Sequence, residues 1–295
     1  MSNPLDKTQA LLYGKFVLAV YAMFGSDPNN LRPQPQGIPE GYELGAWIHM
    51  CDFVLNLEEP KFYGIVAHKI GDVHSRVIAI RGTEGLVEWL DDAFCILVPF
   101  HQVPSAGRVA CGFDKIYKTL KVVRYTPPKA AATLAAAPET FTGSFAEQLD
   151  QLAAIREAAV VGAAKTAARA PRPTVVAGHS LGAALSTLFV MENDSKRKFD
   201  ITTSCTFASP RVGNMEFART FNQLPIDSWR IVNTPDLVPK LPPHIPIVLD
   251  YDHVDVACAF PSDNNTKHNL LCYHAMETYL HWLDGTFPLR PDCQP

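Results

Sequence analysis

No run of this chain stays apolar for the about 20 residues that a membrane-spanning helix requires, so a transmembrane protein is not expected. Basic clusters are missing as well. The 26 Lys and Arg are offset by 30 Asp and Glu, for a net charge of −4, which leaves no positive stripe for a nucleic-acid backbone and excludes that partner. There is no C-x-x-C and the ten histidines are scattered, which argues against structural zinc; neither a metal nor an organic cofactor is expected. The seven cysteines, odd in number and irregular in spacing, make no disulfide framework. Cys51 and Cys205 lie in apolar, strand-like runs and read as small hydrophobes, while one bridge, such as Cys258 to Cys272, stays open. A signal peptide is poorly matched: Asp6 offsets Lys7, and Lys15 adjoins the apolar run 16–24. Leu5, Leu12, Phe16, Ala19, Val20 and Met23 instead fall near helical spacing behind Ser2-Asn3-Pro4, which predicts a packed first helix.

What is present suits one large α/β domain, with 295 residues that are 47% apolar and no internal repeat or second core. A loop rich in Pro, Gly and Asn over 25–41 precedes strands predicted over 44–53, 62–70 and 76–80, with Gly71-Asp72 as a turn. Residues 83–100 are mixed and include a short amphipathic stretch, 86–90. A helix is predicted over 113–123. Residues 126–143 are rich in Ala, Pro and Thr, with almost no large side chains, and read as a mobile surface loop. An Ala-rich helix over 144–170 has Ser144 as cap and Glu147 as capping-box partner. Strand and helix then alternate, with strands over 174–177, 202–208 and 229–233, short ones near 245–249 and 254–259, and a last helix over 273–283. This order predicts a mainly parallel sheet covered by helices.

The chemistry concentrates in Gly178-His179-Ser180-Leu181-Gly182, between an apolar β-branched run and a good helix former. That is strand, sharp turn and helix, with Ser180 at the apex. Flanking glycines permit a strained turn too tight for a Cβ, which holds the hydroxyl out from the strand end. The following helix aims its N-terminal N–H groups where negative charge develops in acyl transfer. A serine also needs a base, and an acid to orient that base, and in G-x-S-x-G hydrolases these follow in the order Asp, His. Asp236 comes directly after the 229–233 strand, and active sites of open α/β sheets gather at such strand ends. Pro235-Asp236 is equally a turn pair, and position alone leaves the two readings level. Among His244, His253, His268, His274 and His281, His274 lies at the expected entrance of the last helix, within reach of the strand ends. His281 is placed on a surface or packing face. His253, in the acidic run 250–255, reads as a solvated loop residue rather than a cation ligand.

Four segments in order resemble the class 3 lipases, the fungal-type triacylglycerol lipase family with the α/β-hydrolase fold. They are Ile80-Arg81-Gly82-Thr83, the Gly178–Gly182 run, Phe207-Ala208-Ser209-Pro210-Arg211-Val212-Gly213-Asn214, and Asn233-Thr234-Pro235-Asp236-Leu237-Val238-Pro239. Tyr273-His274, with Tyr279 beyond, is similar to the family's histidine region, and the resemblance covers about 13–283. It implies one catalytic domain over 1–295, with a lid near 84–96 and a flexible insertion near 126–143 that is longer than usual in the family. It implies Ser180 as nucleophile, Asp236 as orienting acid and His274 as base. Thr83 and Leu181 are implied as oxyanion-hole donors, with Asp92 holding the Thr83 hydroxyl. Leu86, Val87, Trp89 and Leu90 correspond to an amphipathic lid that hides an apolar groove in water and exposes it at a lipid surface; for Trp89, ordinary packing is the alternative. The implied partners are a lipid or ester substrate and, transiently, a lipid–water interface. Triacylglycerol hydrolysis is the first expectation; a carboxylesterase, a phospholipase A1 or a feruloyl-type esterase is the alternative. A hydrolase fold that only binds is disfavoured by the intact Ser180, Asp236, His274 and Thr83. Cys111 stands where the family usually carries a His before Gly112-Phe113. The signal peptide and disulfides of the secreted members are not evident, which favours the cytoplasm and leaves secretion open. Oligomeric state is left open.

Overall fold

A computed structural model describes residues 3–51, 59–83, 96–128, 134–161, 170–245 and 250–295. From the N-terminus it contains α1 (Lys7–Ser26), β1 (Tyr42–Cys51), β2 (Pro60–Lys69), β3 (Arg76–Ile80), β4 (Leu97–Pro99), β5 (Arg108–Ala110), α2 (Cys111–Tyr117), β6 (Lys121–Arg124) and α3 (Phe145–Val161). There follow β7 (Pro173–His179), α4 (Leu181–Lys196), β8 (Asp200–Phe207), β9 (Gly213–Asn214), α5 (Met215–Phe221), β10 (Asp227–Asn233), β11 (Tyr251–Asp252), β12 (Ala257–Phe260), α6 (Leu270–His274) and α7 (Met276–Leu283).

The main sheet runs β12-β10-β8-β7-β3-β2-β1-β6. The strands from β12 to β3 are mutually parallel, and β2, β1 and β6 complete the sheet antiparallel. Both faces are buried, which is why these strands read as near-continuous apolar runs. In β3, Ile78 and Ile80 enter one core while Val77 and Ala79 enter the other. Phe113, Leu149 and Leu185 bring α2, α3 and α4 to the first core; Phe16 and Leu280 bring α1 and α7 to the second. Parallel strands put their C-terminal ends along one edge, so the loops after β3, β7 and β10 meet there. A small antiparallel sheet, β11-β9-β5-β4, flanks the first core and was not foreseen from the sequence.

The first helix packs as expected, although its cap is Asp6, whose carboxylate accepts the Thr8 and Gln9 N–H groups. No described helix is long and apolar enough to cross a membrane. The capping box of α3 is present: Ser144 N–H donates to Glu147, and the Glu147 N–H reaches back to Ser144 Oγ at 3.4 Å.

Several expectations are corrected. The helix predicted over 113–123 ends at Tyr117, where Thr119 Oγ1 captures the Ile116 carbonyl, and β6 follows, pairing Val123 with Trp47 on the exposed edge of β1. The described part of the 126–143 segment lies against β6. Arg124 donates to the carbonyls of Leu134, Ala137 and Pro138, Thr140 bridges Val123, and Phe141 is buried. The last helix is two helices, broken at Ala275, whose ψ of 134° is extended. Among the described residues the disulfide is Cys272–Cys293, and Cys258 is free. Cys205 is buried as expected, whereas Cys51 is partly exposed. The lid expected near 84–96, with Leu86, Val87, Trp89 and Leu90, falls outside the described residues except for Ile96; Asp92 lies outside them too.

Candidate active site

Ser180 caps the N-terminus of α4 with φ 58° and ψ −124°, a conformation that costs a non-glycine residue about 1–3 kcal/mol. The neighbours force it. A Cβ on Gly178 would lie 2.3 Å from the Gly182 carbonyl oxygen, and one on Gly182 would lie 2.2 Å from that of Ile80. The Ser180 N–H donates to the Phe207 carbonyl at 3.0 Å, which ties the elbow to β8. The first N–H groups of a helix have no partner within it, and Leu181 is the first residue of α4.

The loop after β3 is held by Arg81, which is buried. Its guanidinium donates twice to the Phe62 carbonyl and once to that of Gly82, at 2.7 Å, between the rings of Phe24 and Tyr63 at 3.5 and 4.1 Å. A Cβ at Gly82 would meet Ser180 Cβ at 2.7 Å, so this loop and the elbow touch backbone to side chain. Thr83, next in the chain, is buried, and its hydroxyl has no hydrogen-bond partner among the described residues.

Asp236 sits in the turn after β10, its N–H on the Asn233 carbonyl. Three donors hold its carboxylate: the Val238 N–H at 3.0 Å, His274 Nδ1 at 2.7 Å and the Tyr279 hydroxyl at 2.7 Å. Burial, and then the charge of Asp236, push the Tyr279 phenol well above its usual pKa, so it remains a donor. Asn233 braces the same turn, its amide donating to Ser262 Oγ and to the Tyr273 carbonyl. Because the carboxylate accepts, Nδ1 of His274 carries the proton in the neutral ring and Nε2 presents a lone pair. That Nε2 is buried without a partner among the described residues. His274 therefore ends α6 rather than opening the last helix.

A cleft of about 330 Å³ opens beside Thr83 and His274, lined also by Leu18, Tyr21, Leu271 and Arg290 among others. The structure thus gathers Ser180, Thr83, Leu181, Asp236 and His274 at one sheet edge. Tyr21, His179, Arg81 and Asn233 carry the hydrogen bonds that hold the site. No pattern in the chain marks Tyr21, which lies on α1, far from every motif. Among the other histidines, His281 bonds the Phe287 carbonyl. His253 is not solvated as expected: it bonds the Pro239 carbonyl, and burial drives its pKa down to about 3. Among the described residues no group of three or more His, Cys, Asp or Glu is placed to hold a metal.

A mainly parallel α/β sheet with a strained strand–turn–helix serine, and with Asp and His following later strands, defines the α/β-hydrolase fold. Residues 77–245 match the family Lipase (class 3), and the chain belongs to that family. It is 29% identical over 226 residues to Phospholipase A1-II 4 of Oryza sativa subsp. japonica, covering 71% of this chain and 50% of that protein. It is 24% identical to Phospholipase A1-Ialpha2, chloroplastic, of Arabidopsis thaliana, covering 96% of this chain and 65% of that one. The chain thus spans about half the length of the rice relative. Among solved structures it is similar to a lipase from Rhizopus microsporus var. chinensis, with TM-score 0.55 and 17% identity over 88% of this chain and 76% of that one. It is also similar to the mono- and diacylglycerol lipase from Aspergillus oryzae, with TM-score 0.54 and 18% identity over 86% and 80%. At these identities the structural likeness speaks for the fold.

Proposed function

We propose that the protein hydrolyses carboxylic esters of lipids through an acyl-serine intermediate. The observation that carries this reading is His274, with Nδ1 hydrogen-bonded to buried Asp236 at 2.7 Å and Nε2 left open, in the cleft beside the strained Ser180 elbow. In the reaction His274 takes the Ser180 proton as the hydroxyl oxygen attacks the ester carbonyl. The oxyanion is held by the N–H groups of Thr83 and Leu181. His274 then gives its proton to the departing alcohol, and in the second half it activates the water that releases the acid. Apo geometry needs no Ser180–His274 hydrogen bond, since such bonds often tighten only with substrate. Asp92 is proposed to hold the Thr83 hydroxyl, and 84–96 to be the lid, within one catalytic domain.

Glycerides are the first substrate class. Phospholipids are the second reading, favoured by the names of the plant relatives and by Arg290, a cation lining the cleft. For location the cytoplasm is the first reading from the sequence; secretion is the second, because the Cys272–Cys293 bridge suits an oxidising compartment, and the plastid is the third, because one relative is named chloroplastic and another chloroplastic/mitochondrial. Fractionation of the source cells decides between them.

The test is hydrolysis of p-nitrophenyl esters from acetyl to palmitoyl, then of triolein and phosphatidylcholine, with Ser180→Ala as blank. Long-chain activity that rises above the solubility limit supports a lipase. Activity confined to short soluble esters makes it an esterase, and turnover retained by Ser180→Ala overturns the mechanism.

A further inference from the structure

Acyl transfer at Ser180 needs three pieces in register, and each sits on a different element. They are the 81–83 loop after β3, the elbow after β7, and His274 at the end of α6. Two side chains join all three. The Gly82 N–H donates to the Tyr21 hydroxyl at 2.8 Å, that hydroxyl lies 2.7 Å from His179 Nδ1, and His179 Nε2 lies 2.9 Å from the backbone carbonyl of His274.

Chemistry sets the direction of each bond. A carbonyl only accepts, so Nε2 carries the His179 proton. Nδ1 of the neutral ring must then accept, so Tyr21 donates to it. The Tyr21 oxygen in turn accepts from Gly82. His179 is buried, and burial, followed by the neighbouring His274, holds its pKa well below the usual imidazole value, which keeps the single tautomer.

We propose that Tyr21 and His179 are positioning residues that lock the oxyanion loop, the nucleophile elbow and the base into one register. The proposal rests on the hydrolase reading above. The parts it joins have no slack. A Cβ at Gly82 would lie 2.7 Å from Ser180 Cβ and 2.8 Å from the Tyr21 oxygen, and the His179 and His274 rings are 4.5 Å apart. Cutting the Tyr21–His179 bond therefore frees Gly82, and with it the adjacent Thr83 N–H, to drift from the spot where the oxyanion forms. Misplacement by an ångström costs about 100-fold in rate, so a smaller drift is worth about 10- to 100-fold.

The test compares wild type, Ser180→Ala, Tyr21→Phe, His179→Phe and the Tyr21→Phe/His179→Phe double variant. Labelling by a fluorophosphonate probe in wild type but not in Ser180→Ala establishes the reactive serine; an unlabelled wild type overturns the hydrolase reading and this proposal with it. Given labelling, Tyr21→Phe should lower kcat on p-nitrophenyl butyrate and the labelling rate together, by about 10- to 100-fold, with KM within about twofold. His179→Phe keeps a ring of similar size but removes both the acceptor for Tyr21 and the donor to the His274 carbonyl, and should show the same signature; it keeps the test decisive if Tyr21→Phe folds poorly. The double variant should lose no more than about the worse single, because the bond between Tyr21 and His179 that links the pieces is already broken in each single variant. Wild-type kcat in Tyr21→Phe, a change confined to KM, or multiplicative losses in the double variant would overturn the proposal while leaving the hydrolase reading intact.

Discussion

At the scale of single residues, the site combines one strained serine with partners that leave each proton a single place. Ser180→Ala and His274→Ala should each lower kcat by several orders of magnitude and the double variant by little more, since they act as a unit, as steady-state kinetics will show. Asp236→Asn should cost about 10⁴-fold, by loss of the correct His274 tautomer, and a loss under tenfold removes Asp236 from the assigned role. Gly182→Ala drives a methyl into the Ile80 and Arg81 carbonyls, which are backbone and cannot swing aside. It should lower stability by about 1–3 kcal/mol or more in urea unfolding, whereas Gly285→Ala, which meets nothing within 4 Å, should leave packing unchanged.

At the scale of elements, the chain departs from periodicity where a distant partner outbids local preference. Arg124 is the clearest case: it draws 134–143 against β6 by bonding three backbone carbonyls. Arg124→Met should release that segment, raise its cleavage rate in limited proteolysis and lower stability by about 1–3 kcal/mol through the unpaired carbonyls. An unchanged digestion pattern would show that Phe141 alone holds it. The Cys272–Cys293 bridge acts similarly on α6, tying the C-terminal segment two residues before His274. Cys293→Ser should cost about 2–4 kcal/mol in denaturant unfolding under non-reducing conditions.

At the scale of the whole molecule, pH reads out the buried groups. His68, His179 and His253 all have folded pKa values lowered from the ordinary imidazole value, chiefly by burial. For a lowered histidine the unfolded chain binds the proton first. Its stabilisation is present above the unfolded pKa of about 6.5 and is lost as pH falls below it, for His253 down toward its folded value of about 3. The carboxylates Asp150 and Glu157, pushed up by burial but brought lower overall by hydrogen bonds and charge from Lys198 and Arg172 on Asp150 and from Arg172 on Glu157, hold their contribution until below about 4.5 and lose it there. Thermal unfolding should show Tm falling first below about pH 6.5 and more steeply below about 4.5. A flat Tm from pH 7 to 5 would contradict the histidine assignment.

Local rules sufficed for the elbow, because strain, glycine and helix start lie within a few residues of Ser180. They sufficed for the strands β3, β7, β8 and β10, whose burial on both faces leaves a run of apolar side chains. Asp236 was level between acid and turn on position alone, and only the resemblance of four segments selected it. In the fold its backbone forms the turn and its carboxylate accepts from His274. Tyr21, Arg81 and the Cys272–Cys293 bridge were decided by tertiary structure, since their partners come from elements distant in the chain or lack any spacing signal. A hydrogen bond between α1 and β7, 158 residues apart, leaves no mark in periodicity. It exists because helix and sheet bury a common core, and burial is the property a linear pattern records only as apolar or polar.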